Sequence, residues 1–362
     1  MSFPALCVAG LVLCCSVALA NAAEREKPKH KAKPKPAAQQ VAPVQPGYAQ
    51  YPGASAFADE MVERRGLDRD WVLRQLAQAQ RLASVQRLIM PPPAGVAKNW
   101  AAYRDRFVEP QRIAAGAAFW RANERWLAEA EDRFGVPAAL IAGIVGVETF
   151  YGRVMGSFRV LDALATLAFD FPSGRSDRSA YFRSELEELL VYAQREGVEP
   201  ASVRGSFAGA IGLPQFMPGS INRWAIDFDG DGHVNLNASA ADTIGSIANF
   251  LVAAGWRRGE PTHFEVAVPV DLSERAVLLG PDILPSFSAA QFAERGAVLS
   301  ETARAHQGSL ALVMVENGPA APSYVAGTWN FYAITRYNRS SYYALAVITL
   351  AEAVAQARAR AR

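Results

Sequence analysis

Eleven consecutive residues, Ala138 to Glu148, carry a single polar side chain, and it is the last of them. A helix over this run is apolar on every face, so it has to lie inside an assembly of other helices. Pro137 suits the first turn of that helix and Gly152 suits its end. Glu148 then sits in the last turn of a buried rod. Desolvation and the partial negative charge of a helix carbonyl end both oppose its ionisation there. A carboxylic acid that holds its proton near neutrality is what general-acid catalysis needs. The competing reading is a structural carboxylate bonded to a neighbour such as Arg153.

With 362 residues and 51% hydrophobic composition the chain can bury a core for one large or two ordinary domains, which excludes disorder for most of its length. At a net charge of +2, no nucleic-acid partner is expected. Residues 3–20 form an apolar stretch closed by small-x-small patterns at Ala18-Leu19-Ala20 and Ala20-Asn21-Ala22, which reads as a signal peptide over 1–22, with an uncleaved membrane anchor as the alternative. All three cysteines, Cys7, Cys14 and Cys15, fall inside it, so the mature chain is expected to be free of disulfides. Leu13 before Cys14, and Cys14 before Cys15, disfavour a lipoprotein. Residues 23–54 are rich in Pro, Lys, Ala and Gln and read as a tether.

Helical spacing is expected at 58–65 and 68–88, with Asp68 as N-cap of the second, then beyond the turn-forming Pro91-Pro92-Pro93 at 113–133, with Phe119, Trp120, Trp126 and Leu127 facing inward. It resumes at 157–169, 181–196 and 240–254. After Trp256, residues 264–270 and 310–315 alternate like short strands, and a helix over 341–358 closes the chain. The folded region 55–362 therefore reads as α+β, mainly helical.

Three constellations carry chemistry. Residues 206–218 mix small residues with single polar ones, so backbone can approach a ligand closely, and Ser206 and Gln215 offer hydrogen bonds. Asp227-Phe228-Asp229-Gly230-Asp231-Gly232-His233 puts carboxylates at loop positions one, three and five and Gly at six, the pattern of a calcium loop. Oxygen donors favour Ca²⁺ over softer metals. His233 stands where such loops present a backbone carbonyl. Ala238 replaces the usual bidentate Glu, with Asp242 the nearest substitute. The expected role of the ion is structural, and no organic cofactor is expected. Finally, Tyr332 with Arg336-Tyr337-Asn338-Arg339-Ser340-Ser341-Tyr342-Tyr343 gathers aromatics and polar groups of the kind that bind sugars.

Five stretches taken together resemble the membrane-bound lytic murein transglycosylase B family, glycoside hydrolase family 103: Gly143-Ile144-Val145-Gly146-Val147-Glu148-Thr149, Leu161-Asp162-Ala163-Leu164-Ala165-Thr166-Leu167, Gly209-Ala210-Ile211-Gly212-Leu213-Pro214-Gln215-Phe216-Met217-Pro218, the Asp227 loop, and Asn330-Phe331-Tyr332-Ala333-Ile334-Thr335-Arg336-Tyr337-Asn338. The resemblance implies a lysozyme-like core (136–260 with 330–362), an N-terminal helical domain (55–135) and a small β-containing part (261–329). It implies action on the glycan strands of peptidoglycan, cleaving the β-1,4 bond between N-acetylmuramic acid and N-acetylglucosamine and leaving 1,6-anhydromuramoyl ends. By the same resemblance Glu148 is the catalytic acid and then base. Ser206 and Asn338 orient the acetamido group or Glu148, and Tyr103, Gln215, Tyr337 and Tyr343 line the glycan cleft. Arg178 is a substrate contact on a turn, 171–178, longer than the family's. The family's calcium site maps to Asp227, Asp229, Asp231, His233 and Asp242. Also implied are a monomer in the periplasm of a Gram-negative bacterium, membrane association, and cell-wall synthesis or division proteins as candidate partners.

One carboxylate suffices for such chemistry if the substrate's own 6-hydroxyl replaces water. Two alternatives stay in view. A hydrolytic muramidase needs a second carboxylate across the cleft, with Asp162 and Asp170 nearest in sequence. A non-catalytic peptidoglycan-binding scaffold needs none.

Overall fold

The computed structural model describes residues 47–91 and 98–360. The expected signal segment, most of the tether and Pro92-Pro93 lie outside the described residues. Structure starts earlier than composition suggests. Tyr48 is 4% exposed, its ring and that of Tyr51 pack on Phe169, and both hydroxyls donate to Asp170, at 2.6 and 2.8 Å. Residues 47–54 therefore belong to the folded body and not to the tether, because two aromatic rings there find a half-buried partner far along the chain.

The N-terminal helices are shorter than their periodicity suggests. The 68–88 stretch divides into Arg69–Gln78 and Ala83–Leu88. Asp68 caps the first as expected, accepting from Trp71 N at 2.7 Å. Its end is set by another helix, Val160–Phe169, whose Asp162 and Thr166 side chains accept from Gln80 N and Leu82 N, each at 3.0 Å. Tertiary hydrogen bonds here take backbone groups that a continuous helix would use. The 113–133 stretch divides at Asn123 into Pro110–Ala122 and Glu124–Phe134; the Asn123 amide donates back to Phe119 O at 2.9 Å. Trp120 and Leu127 are buried, whereas Phe119 and Trp126 are half-buried.

The apolar run folds as the helix Ala138–Thr149, with Pro137 as its N-cap instead of its first helical residue. Leu140, Ile141, Ile144, Val145 and Val147 are all buried, each such side chain being worth about 1.5–3 kcal/mol of transfer free energy. Alongside it lies the C-terminal helix Ser341–Arg360, and two glycines allow the close approach. A methyl at Gly143 would stand 2.7 Å from Val347 O, and one at Gly146 2.8 Å from Leu350 Cδ2. Gly143→Ala is accordingly expected to destabilise by about 1–2 kcal/mol, overpacking against backbone outweighing the gain in helix propensity; equilibrium urea unfolding measures it.

Among the described residues, six short strands complete the fold. β1 (Phe158–Arg159) pairs antiparallel with β2 (Arg204–Gly205). β3 (His263–Ala267), β4 (Val298–Leu299), β5 (Ala311–Asn317) and β6 (Ala320–Gly327) form an antiparallel sheet in the order β4-β3-β6-β5. Alternation along β5 divides two cores: Ala311, Val313 and Val315 face the main one, while Leu312 joins a second built from Leu278, Phe292, Leu299 and Leu310. The connections hold short helices that the sequence reading missed, Leu272–Leu279, Ala289–Glu294 and Glu301–Arg304. They are too short for periodicity to reveal, although the Asp271 and Ser288 caps were visible. The architecture is α+β and mainly helical.

Candidate active site

Antiparallel packing of the two central helices brings the end of one beside the start of the other. Tyr343 hydroxyl donates to Glu148 Oε1 at 2.7 Å. Tyr343 is 2% exposed, and the Tyr337 ring stacks on it at 6.3 Å with planes 15° apart. Glu148 keeps partial solvent access. The protein packed around it nevertheless raises its pKa to about 7, desolvation outweighing the opposing effect of the Tyr343 hydrogen bond. Burial, then the negative charge of Glu148, pushes the Tyr343 and Tyr337 phenols well above their ordinary range, so both remain donors. Arg153 is not the partner of Glu148; its guanidinium lies over the Phe150 ring at 4.6 Å.

A second wall comes from residues 206–218. Tyr337 hydroxyl donates to Pro214 O at 2.6 Å. Gln215, in left-handed conformation at φ 50°, turns its amide back on the loop, donating to Gly212 O at 2.9 Å and Met155 O at 3.2 Å. Ser206 is 7% exposed, and its Oγ accepts from Ala210 N at 3.0 Å and Ala208 N at 3.3 Å, which leaves its hydroxyl proton to donate. Asn338 is 8% exposed and its Oδ1 is buried without a hydrogen-bond partner. A buried acceptor of this kind calls for a donor from outside the chain.

Tyr103 reaches the same region through Tyr342, 5.8 Å away edge-on, and Trp100 packs on both rings. Tyr342 belongs to the aromatic cluster singled out in the sequence, whereas Trp100 was missed as a neighbour of the site; Trp100 and Tyr103 three apart in the helix Trp100–Asp105 were the available signal. Arg178 lies at the start of the helix that follows the inserted turn, where its guanidinium stacks over Tyr181 at 4.8 Å and Phe182 at 5.6 Å. Asp162 and Asp170 are engaged with the N-terminal segment, Asp162 with Gln80 N and Arg159, Asp170 with Tyr48, Tyr51 and Arg81.

The acidic loop gathers three carboxylates. Oxygens of Asp227, Asp229 and Asp242 lie within 4.8 Å of one another. Asp242 is fully buried and joins both ends of the loop, accepting from Phe228 N at 2.9 Å and Asn235 N at 2.8 Å. Burial and, less strongly, Asp229 raise its pKa against those hydrogen bonds. Asp231 is not among the three; its carboxylate accepts from His233 N at 2.9 Å, and both residues are exposed. Asp242 thus stands beside Asp227 and Asp229, where the missing Glu would be needed.

The transglycosylase SLT domain family model matches residues 49–352. Membrane-bound lytic murein transglycosylase B of Escherichia coli (strain K12) is 41% identical over 319 residues, which cover 86% of this chain and 85% of that protein. The solved structure of the Escherichia coli lytic transglycosylase SLT35 in complex with calcium is similar at a TM-score of 0.74 and 40% identity, over 88% of this chain and 98% of that one. SltB3 from Pseudomonas aeruginosa, in complex with NAG-anhNAM-pentapeptide, is similar at a TM-score of 0.71 and 30% identity, over 83% of this chain and 78% of that one.

Proposed function

The chain belongs to the transglycosylase SLT domain family, and on that premise we propose that Glu148 is the single acid and base of a lytic murein transglycosylase. The protein is an enzyme that cleaves peptidoglycan. Its protonated Glu148 donates to the oxygen bridging N-acetylmuramic acid and N-acetylglucosamine as that oxygen leaves C1. The carboxylate so formed accepts the proton of the muramoyl 6-hydroxyl while O6 bonds to C1, closing the 1,6-anhydro ring. One bond breaks, one forms, the proton returns to Glu148, and no water enters.

The observation that carries this reading is a carboxyl group with a pKa of about 7, hydrogen-bonded to a tyrosine and not to a cation. Near neutrality it exists in both forms, and the mechanism uses both. The hydrolytic alternative loses support because Asp162 and Asp170 are already engaged with the N-terminal segment. The partnerless Oδ1 of Asn338 suits the N–H of an acetamido group, and the spare proton of Ser206 suits a sugar oxygen or Glu148 itself. Tyr103, Tyr337 and Tyr343 supply rings along the glycan path, and Gln215 shapes the loop that borders it.

The test is product mass. Purified sacculi digested with the enzyme should release muropeptides lighter by one water than those of a muramidase; hydrated reducing ends would reject the assignment.

Asp227, Asp229 and Asp242 would hold a Ca²⁺ ion, since an all-oxygen set of converging carboxylates fits a hard cation. When bound, the ion offsets the mutual repulsion of the three carboxylates and ties the loop together. Its contribution is to stability. Export to the periplasm, where murein lies, accords with the apolar 3–20 stretch. No helix among the described residues is long and apolar enough to cross a membrane.

A further inference from the structure

We propose that Thr149 is the positioning residue for Glu148, latching the end of the buried helix to the 206–218 loop so that the carboxyl group is fixed between Tyr343 and the substrate. The proposal rests on the assignment of Glu148 as the acid and deepens it.

The helix carrying Glu148 ends in an unusual way. Phe150 at φ 51° and Tyr151 at φ 56° are both left-handed before Gly152 at φ 87°. Two successive side-chain-bearing residues in that region are strained, and such strain persists only where the surroundings over-determine it. Thr149 is one of the groups that do so. Its side chain is 1% exposed, and its Oγ1 accepts from Gly152 N at 3.1 Å, closing the left-handed turn. The same hydroxyl donates to Leu213 O at 3.0 Å, with Val145 O at 3.3 Å as the weaker acceptor.

Leu213 ties this latch to the rest of the site. The next carbonyl, that of Pro214, accepts from Tyr337 hydroxyl, and Tyr337 stacks on the tyrosine that donates to Glu148. Consecutive carbonyls of one loop are thus gripped from two directions. Thr149 holds the first from the helix that bears Glu148. Tyr337 holds the second from the pair that receives it. Leu213 N donates in turn to Leu236 O at 2.9 Å, so the loop is anchored on its far side as well. With Thr149 removed, Leu213 O and Gly152 N both lose a partner, and the strained turn next to Glu148 is freed to relax.

Thr149→Val keeps the shape and deletes the hydroxyl, whereas Thr149→Ser keeps the hydroxyl and deletes the methyl. In sacculus digestion by the full chain, Thr149→Val is expected to lower kcat about 30-fold with the half-saturating substrate concentration changed by no more than about twofold, the signature of a misplaced catalytic group and not of weakened binding. The alkaline limb of its pH–rate profile should move down by about half a unit, because a loosened turn admits water to the carboxyl group. Thr149→Ser should recover kcat to within about threefold of wild type. A Val variant with wild-type kcat and pH limb would overturn the proposal, as would a Ser variant as slow as the Val one. A Val variant without a cooperative melt in circular dichroism would assign Thr149 to folding and overturn it too. A Glu148→Gln enzyme that stays active would instead reject the underlying catalytic assignment, so the two failures are distinguishable.

Discussion

Glu148→Gln is expected to digest sacculi about a thousandfold more slowly than wild type, within the range that general-acid catalysis contributes. The amide is nearly isosteric with the acid, and its carbonyl oxygen still accepts from Tyr343 hydroxyl, as Oε1 does at 2.7 Å. It cannot, however, transfer a proton. The melting temperature should hold or rise, because the variant removes the cost of desolvating a charge at that place. Circular dichroism and the rate of muropeptide release check the two halves separately. The pH dependence follows from the direction of the shift. Desolvation raises the Glu148 pKa to about 7, so the acid form dominates below that pH and is lost above it. The wild-type rate should therefore fall about tenfold per unit on the alkaline side, where the enzyme lacks the proton that starts the reaction. A rate that stays flat well above neutrality, or a Gln variant of near-normal speed, would show that another group supplies the proton.

Asp242→Ala is expected to lower stability by about 3 kcal/mol, on the order of 6–10 °C in Tm. Two backbone N–H groups, those of Phe228 and Asn235, donate to this fully buried carboxylate, and both lose their acceptor. The same substitution removes the one carboxylate of the trio that is anchored to both ends of the loop. Wild-type enzyme stripped with a chelator and then given Ca²⁺ at a hundredfold its Kd should gain about 2.7 kcal/mol, and the variant should gain none. Thermal melts with and without the ion measure both effects. A Ca²⁺-dependent rise in the variant equal to that of wild type would place the ion elsewhere.

How far the residues alone led depends on whether the relevant partners are near in sequence. Asp68 was legible as an N-cap because the N–H it accepts is three residues on. The break between Arg69–Gln78 and Ala83–Leu88 was not, because Asp162 and Thr166 make it from a helix about 80 positions away. For the same reason Tyr48 and Tyr51 were assigned to a tether; their acceptor is Asp170, more than a hundred residues later. In the acidic loop the spacing identified Asp227 and Asp229, and the need for a replacement carboxylate identified Asp242. Spacing also nominated Asp231, whose carboxylate accepts from His233 N. Arg178 was nominated across an inserted turn, where correspondence between sequences gives no geometry; its stacking on Tyr181 could be seen only in the structure.

From its sequence alone this chain determined that Ala138–Thr149 would be a buried helix with an acid at its end, because eleven residues with one polar side chain leave no other place for them. Tertiary structure alone decided what surrounds that acid. Glycines at 143 and 146 let the C-terminal helix lie close enough for Tyr343 to reach Glu148, and the surrounding packing, not the acid's own position, raises its pKa toward neutrality. A run of residues reports how much apolar surface must be hidden, but the free energy of a proton on one carboxyl group depends on which atoms from distant parts of the chain come to lie within a few ångströms of it.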